Sequence, residues 1–241
     1  MTETTPSQRP TDAPTLAGLP EPAALLFDLD GTLVDTVRHR IEAWSEALRR
    51  AGISVDPARL GGYIGSDGRW LAAQIALERG RHLDSAETEE LDRVSGALFD
   101  ELNVAPAPLP GATELLTALD RSRVTFAIAT SSRPGQVAVS VGSLRLPSAP
   151  TVTDGSHVAN AKPEPDLLLA SAAQLGVAPE GCWYVGDSTW DMMASVKARM
   201  IAVGVTTGAV GAAELVAAGA KVVVADLTEL LTELRRRGTV R

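Results

Sequence analysis

The sequence predicts an α/β fold: a parallel sheet with helices on both faces, interrupted by an inserted all-helical segment. Three observations lead there. From about residue 112 onward, short apolar runs alternate with amphipathic stretches in a strand–helix rhythm. Residues 37–103 carry helical periodicity with no convincing strand among them. One apolar run, at 23–27, precedes that block and ends in acids and glycine, so it joins the sheet whose other strands follow the block.

Each element can be justified in turn. Residues 1–22 are rich in Thr, Pro and Ser and almost devoid of large apolar side chains, so they read as a disordered tail. Ala-Ala-Leu-Leu-Phe (23–27), bounded by Pro22 and by Asp28 and Gly31, reads as a buried strand. In the helical block, Ile41, Trp44, Leu48 and Ala51 share one face, and Gly52 follows as a stop. Trp70, Leu71, Ile75 and Leu77 mark a second helix, and Leu91, Val94, Leu98 and Leu102 a third. Ala-Pro-Ala-Pro-Leu-Pro-Gly (105–111) closes the block as a stiff linker and turn. After it come helices at 112–120, from Pro134, and at 163–175, 189–198, 211–218 and 227–236. The intervening strands fall at 124–129, 151–153, 182–185, 201–205 and 221–224. The expected division is a core of 23–35 plus 110–241 and a helical insert of 36–109.

Composition narrows the function. The chain has 241 residues, 45% of them hydrophobic, a formal net charge of −8 and a pI near 5.0. An acidic chain gains nothing from a phosphate backbone, which argues against nucleic acid as a partner. A small anionic substrate would need a local cluster of cations. The single cysteine, Cys182, opens the apolar run Cys-Trp-Tyr-Val and reads as a buried structural thiol in a reducing compartment. No apolar run reaches the ~18 residues of a membrane span, and no signal peptide is seen, so no membrane partner and a cytoplasmic location are expected.

The segment Phe27-Asp28-Leu29-Asp30-Gly31-Thr32-Leu33-Val34-Asp35 follows the first strand, at the sheet edge where open α/β folds bind ligands. Asp28 and Asp30 lie two apart, so an extended chain points both carboxylates to one side. Such a pair requires a cation or a shared proton. Gly31 lets the backbone turn away without crowding them. Three further segments attract attention: Ala129-Thr130-Ser131 at the end of another strand, Lys162 in Ala-Lys-Pro-Glu-Pro-Asp (161–166), and Gly186-Asp187-Ser188-Thr189-Trp190-Asp191 after a third.

In this order, the four segments resemble the motifs of the haloacid dehalogenase superfamily, most of whose members are phosphatases. The resemblance covers nearly the whole chain from Ala23 and is nearest to the phosphoglycolate phosphatase and β-phosphoglucomutase-like subgroup. It implies a Rossmann-like core with a small helical cap, and a Mg²⁺-dependent enzyme acting on a small phosphorylated metabolite. Asp28 would be the nucleophile that forms an aspartyl-phosphate. Asp30 would protonate the leaving oxygen and then activate water. Thr130 would bond a phosphoryl oxygen, and Lys162 would supply positive charge. Asp28, the main-chain carbonyl of Asp30 and Asp187 would hold Mg²⁺. Asp191 would act through water on the metal or orient Lys162. Ser131 and Arg133, beside Thr130, are further candidates for phosphate contact. In the insert, Arg38, His39, Arg40, Tyr63 and Arg69 are candidates to meet the substrate when the insert closes as a lid.

Within the superfamily, Asp30 argues against dehalogenation, and an insert without lysine argues against phosphonoacetaldehyde hydrolysis. Phosphomutases usually carry a histidine twelve residues after the nucleophile and a cap lysine. Here Arg40 occupies that position, with His39 before it, and the cap lysine is missing. A phosphatase is therefore the leading expectation, a phosphosugar mutase the alternative, and a non-catalytic binding protein a second alternative. The chain is compatible with a monomer or a homodimer.

Overall fold

A computed structural model describes residues 15–241 apart from Ala159. The first strands are β1 (Ala24–Phe27) and β2 (Val34–Asp35). Four helices follow: α1 (Val37–Arg50), α2 (Pro57–Gly61), α3 (Gly68–Glu78) and α4 (Ser85–Leu102). Then come β3 (Ala107–Pro108), α5 (Ala112–Arg121), β4 (Phe126–Ala129), α6 (Pro134–Ser143) and β5 (Thr151–Thr153). The chain continues through α7 (Asp166–Leu175), β6 (Cys182–Gly186), α8 (Thr189–Lys197) and β7 (Ile201–Val205). It ends with α9 (Ala212–Ala217), β8 (Val222–Val224) and α10 (Leu227–Arg237).

Six strands form one parallel sheet in the order β5-β4-β1-β6-β7-β8. β1 lies inside it, and all four of its residues are fully buried, which is why the run 23–27 is apolar without alternation. Successive side chains still go to opposite faces. Leu25 and Phe27 join Ile128, Trp183 and the leucines of α5 and α10 on one side. Ala24 and Leu26 join Ala127, Tyr184 and Leu168 of α7 on the other. With two covered faces, truncating Leu26 to alanine costs about 2–5 kcal/mol.

The helical insert has its own core, built on Trp44, Leu48, Leu60, Leu71, Ile75 and Leu91. Three of its four helices start on capping acids: Asp56, Asp67 and Asp84 each accept a main-chain N–H of the following turn, and Glu87 completes a capping box with Asp84. Each cap contributes about 1 kcal/mol. The two chain crossings between insert and core are not separate linkers. β2 and β3 pair antiparallel, Val34 with Pro108 and Asp35 with Ala107, so part of the stretch read as a stiff linker at 105–111 is a strand.

Two other expectations need correction. Of the tail expected over 1–22, residues 1–14 lie outside the described residues. The rest is ordered: Leu16–Gly18 forms a 3₁₀ turn, and Leu16 is buried in the main core with Leu19 packed against it. Arg237 donates to the main-chain oxygens of Leu16 and Leu19. Two leucines three apart were enough to dock a segment whose composition is otherwise that of a tail. The helix expected from Pro163 starts at Asp166 with Pro165 as its N-cap, because a proline disfavours helical backbone in the residue before it, here Glu164.

Candidate active site

Three adjacent strands deliver the site. Asp28 follows β1, Thr130 follows β4 and Asp187 follows β6, and β1 lies between the other two. Parallel strands end on the same edge, so these residues come together although they are far apart in sequence. The segment between β5 and α7 brings in Lys162, which is 2% exposed. Its Nζ lies 2.5 Å from Asp28 Oδ1 and 2.7 Å from Asp191 Oδ1.

Asp191, in the first turn of α8, is fully engaged by donors. Its Oδ2 accepts from the Ser188 N–H and hydroxyl, and its Oδ1 from Tyr184 as well as Lys162. It therefore fixes the position of the Lys162 ammonium. Asp187 Oδ1 accepts from Thr32 at 2.8 Å. Its other oxygen lies in a cradle that only glycines leave open. A Cβ on Gly31 would stand 2.4 Å from Oδ2, and one on Gly208 2.0 Å. Gly31 also has φ +86°, so a side chain there is excluded twice.

The three buried carboxylates Asp28, Asp187 and Asp191 offer oxygens within 4.8 Å of one another. Burial pushes Asp28 up to about 7; Lys162 opposes this, while the charges of Asp191 and Asp30 add to it. Asp187 is pushed well above the carboxylate range by burial and then by Asp191 and Asp28. Burial also works against the Lys162 ammonium, but Asp191 and Asp28 outweigh it and hold its pKa well above the usual lysine value. One ammonium among three acids leaves negative charge uncompensated. The donors are all hard oxygens, a set that fits Mg²⁺ rather than zinc or copper.

Asp30 is held differently. Its Oδ2 takes an ion pair from Arg40 at 3.2 Å and a short hydrogen bond from the Ser132 hydroxyl. Burial alone raises its pKa, yet the Arg40 charge and these hydrogen bonds together hold it below the ordinary carboxylate value. Arg40 also donates to Gln136 at 3.0 Å and lies flat on the Phe99 ring, 3.4 Å from its centroid. Asp30 Oδ1 is buried and has no protein partner, and so is Ser131 Oγ. Both residues, with Asp28, Thr130 and Lys162, line a cavity of about 190 Å³ between core and insert. Thr130 is buried and accepts the Ser132 N–H at 3.1 Å.

The other expected substrate contacts divide. Arg40 and Arg133 line the cavity, Arg133 paired with Asp92 at 2.6 Å. Tyr63 lines it too, but its hydroxyl is turned to Glu78. Arg69 does not line it; it is exposed, pairs with Asp67 at 3.4 Å and borders a neighbouring depression. His39 is half-buried with Nδ1 unpartnered, away from the cavity lining, and Arg38 is exposed. Sequence reasoning missed Ser132, Gln136, Asp92 and Ser95. None carries a motif, and only the Thr-Ser-Ser run at 130–132 hinted at the first.

A parallel α/β core with a helical cap over carboxylates at two strand ends and a threonine at a third defines a class of capped hydrolases. Residues 25–205 match the family model described as haloacid dehalogenase-like hydrolase, and the chain belongs to that family. It falls with the branch that includes phosphoglycolate phosphatases and β-phosphoglucomutases. It is 32% identical to hexitol phosphatase A of Escherichia coli, over 72% of this chain and 78% of that one. It is 31% identical to validoxylamine A 7'-phosphate phosphatase of Streptomyces hygroscopicus, over 85% and 94% of the two chains. A crystal structure of a hydrolase from Pseudomonas syringae superposes with a TM-score of 0.81 at 32% identity, covering 88% of this chain and 98% of that one.

Proposed function

We propose that this protein is a Mg²⁺-dependent phosphatase of small phosphorylated metabolites, of the sugar-phosphate or phosphoglycolate type, acting through an aspartyl-phosphate on Asp28. The observation that carries the reading is the Asp28 carboxylate, buried 2.5 Å from the Lys162 ammonium and sharing one cavity with the second acid Asp30. A structural ion pair has no need of a second carboxylate beside it. The core, 23–35 with 110–241, supplies the chemistry, and the insert 36–109 closes over it.

In the first half-reaction an Asp28 oxygen attacks phosphorus, the ester P–O bond breaks, and Asp30 gives its proton to the departing oxygen. Arg40 and Ser132 occupy Oδ2 of Asp30 and keep it ionised before the ester binds, so the proton it gives must be taken up on the unpartnered Oδ1 once the ester is in place. In the second half, Asp30 as carboxylate takes a proton from water, and that water attacks the aspartyl-phosphate to release phosphate and restore Asp28. Lys162 and the hydroxyls of Thr130 and Ser131 bind phosphoryl oxygens throughout. Mg²⁺, held by Asp28, Asp187 and the Asp30 carbonyl, supplies charge neutralisation on the phosphoryl group when bound. Asp191 acts behind them by fixing Lys162.

The mutase alternative loses support at Arg40, which ties up Asp30 directly where those enzymes usually carry a histidine, and at the absence of lysine from 36–109. The test is phosphate release from a panel of small esters, with and without Mg²⁺, in the wild type and in Asp28→Asn. Mg²⁺-dependent release lost in Asp28→Asn supports the reading. Isomerisation of a sugar phosphate without net release contradicts it.

A further inference from the structure

Arg133, the N-cap of α6 on the core, reaches across the cavity to Asp92 on α4 of the cap. Room has been left for both partners. A Cβ on Gly96 would stand 2.4 Å from Arg133 Nη1, and a Cβ on Gly68 would stand 2.1 Å from Asp92 Oδ1. The pair thus occupies a slot between α3 and α4 that a side chain at either glycine would obstruct. Half of the Arg133 side chain and a third of that of Asp92 remain exposed, so the pair adds little to stability. Its consequence lies in what the cavity accepts.

Among the described residues lining the cavity there are four acids, Asp28, Asp30, Asp67 and Asp92, and three cations, Arg40, Arg133 and Lys162. Arg40 is bound to Asp30, and Lys162 to Asp28 and Asp191. Arg133 is the one lining cation that is not bound to Asp28, Asp30 or Asp191, and Asp92 holds it. What remains there for a leaving group is the hydroxyls of Ser66 and Ser95 and two carboxylates already paired, Asp67 with Arg69 and Asp92 with Arg133, so no lining cation is left free. These groups accept and exchange hydrogen bonds with alcohols, and they offer no free charge to compensate an anion taken out of water.

Resting on the phosphatase reading above, we propose that Asp92 is a specificity residue. By withholding Arg133, it makes the enzyme select phosphate esters of neutral polyols or sugars and reject esters whose leaving group carries a second anion.

The test compares kcat/KM for a hexitol phosphate and for the hexonate phosphate of the same chain, which differ only in a terminal CH₂OH or carboxylate. The wild type is expected to favour the hexitol ester by roughly tenfold or more, because the carboxylate of the hexonate loses water and meets no free cation. Asp92→Asn, which releases Arg133, raises kcat/KM for the hexonate ester and narrows the ratio at least about fivefold. Adding Arg133→Gln removes that gain. A wild type that treats the two esters alike or prefers the hexonate overturns the proposal while leaving a phosphatase in place. Equal loss on both esters in Asp92→Asn also overturns it. Hydrolysis of neither ester, nor of any other in the panel, overturns the phosphatase reading and the proposal with it.

Discussion

Arg40, on the first helix of the cap, holds the core carboxylate of Asp30 through a single oxygen at 3.2 Å. The contact couples the position of the cap to the state of the acid, because Ser132 and Gln136 of the core and Phe99 of the cap all converge on the same guanidinium. Removing the guanidinium leaves burial as the main influence on Asp30, so its pKa rises. The hydrolytic half-reaction needs Asp30 ionised, and a raised pKa moves its loss to higher pH. Arg40→Met is therefore expected to shift the acidic limb of the kcat profile upward and to lower kcat on that acidic side. A pH–rate series on wild type and variant checks both.

Lys162 is buried against two carboxylates, and replacing it with methionine leaves both without their cation. Breaking such a buried arrangement costs about 3–5 kcal/mol. Lys162→Met should lower Tm and abolish phosphate release, and Mg²⁺ should recover part of the Tm but none of the activity. Thermal scans with and without Mg²⁺ read the first effect, and a phosphate assay the second.

Without a metal ion, and with Lys162 beside it, burial pushes the Asp28 carboxyl up to about 7 in the folded chain. A carboxyl raised by folding binds its proton more tightly in the native state. Stability is therefore full at low pH and falls as pH rises through the window between about 4 and about 7. In EDTA at pH above that window, Asp28→Asn should raise Tm. Adding Mg²⁺ should raise the Tm of the wild type, by about 2.7 kcal/mol of stability at a hundredfold excess over Kd, and leave Asp187→Asn nearly unchanged.

Trp190 sits between Asp187 and Asp191, yet its indole N–H donates to Gly62 of the cap at 3.0 Å, and its ring meets Trp70 edge-on at 4.9 Å. One hydrogen bond and one aromatic pair, partly exposed, together favour the closed cap by about 1–2 kcal/mol. Trp190→Ala should therefore raise KM by roughly threefold to tenfold, with a change in tryptophan emission from Trp70. Unchanged KM in a folded variant would contradict a latch at this position.

The sequence made the core of the site legible because parallel strands place their ends on one edge. Asp28, Thr130 and Asp187 needed only strand assignments and a motif to be brought together. Lys162 was found by its motif, while Asp191 was left with two possible roles, on the metal or on Lys162, and its oxygens are taken up by Lys162, Tyr184 and Ser188. The cap was another matter. Helical periodicity says which face is buried, not which core residue the other face meets, so Arg40 and Arg69 looked alike as candidates. The fold separates them: Arg40 reaches Asp30, and Arg69 stays outside with Asp67. Asp92 had no signal, since its meaning depends on Arg133, forty-one residues away, and on space at Gly68 and Gly96. The β2–β3 ribbon was hidden because two-residue strands have no periodicity.

The most direct test of the account is to trap phosphorylated Asp28. Asp30→Ala removes the group that activates water, while an ester with an activated leaving group such as p-nitrophenol needs no proton to depart. With Mg²⁺ and that ester, the intermediate should accumulate. Acid quenching and peptide mass spectrometry should then find a hydroxylamine-labile phosphoryl group on the peptide bearing Asp28, and none in Asp28→Asn. Phosphate release that persists in Asp28→Asn, or a phosphoryl group on any other residue, would contradict the account.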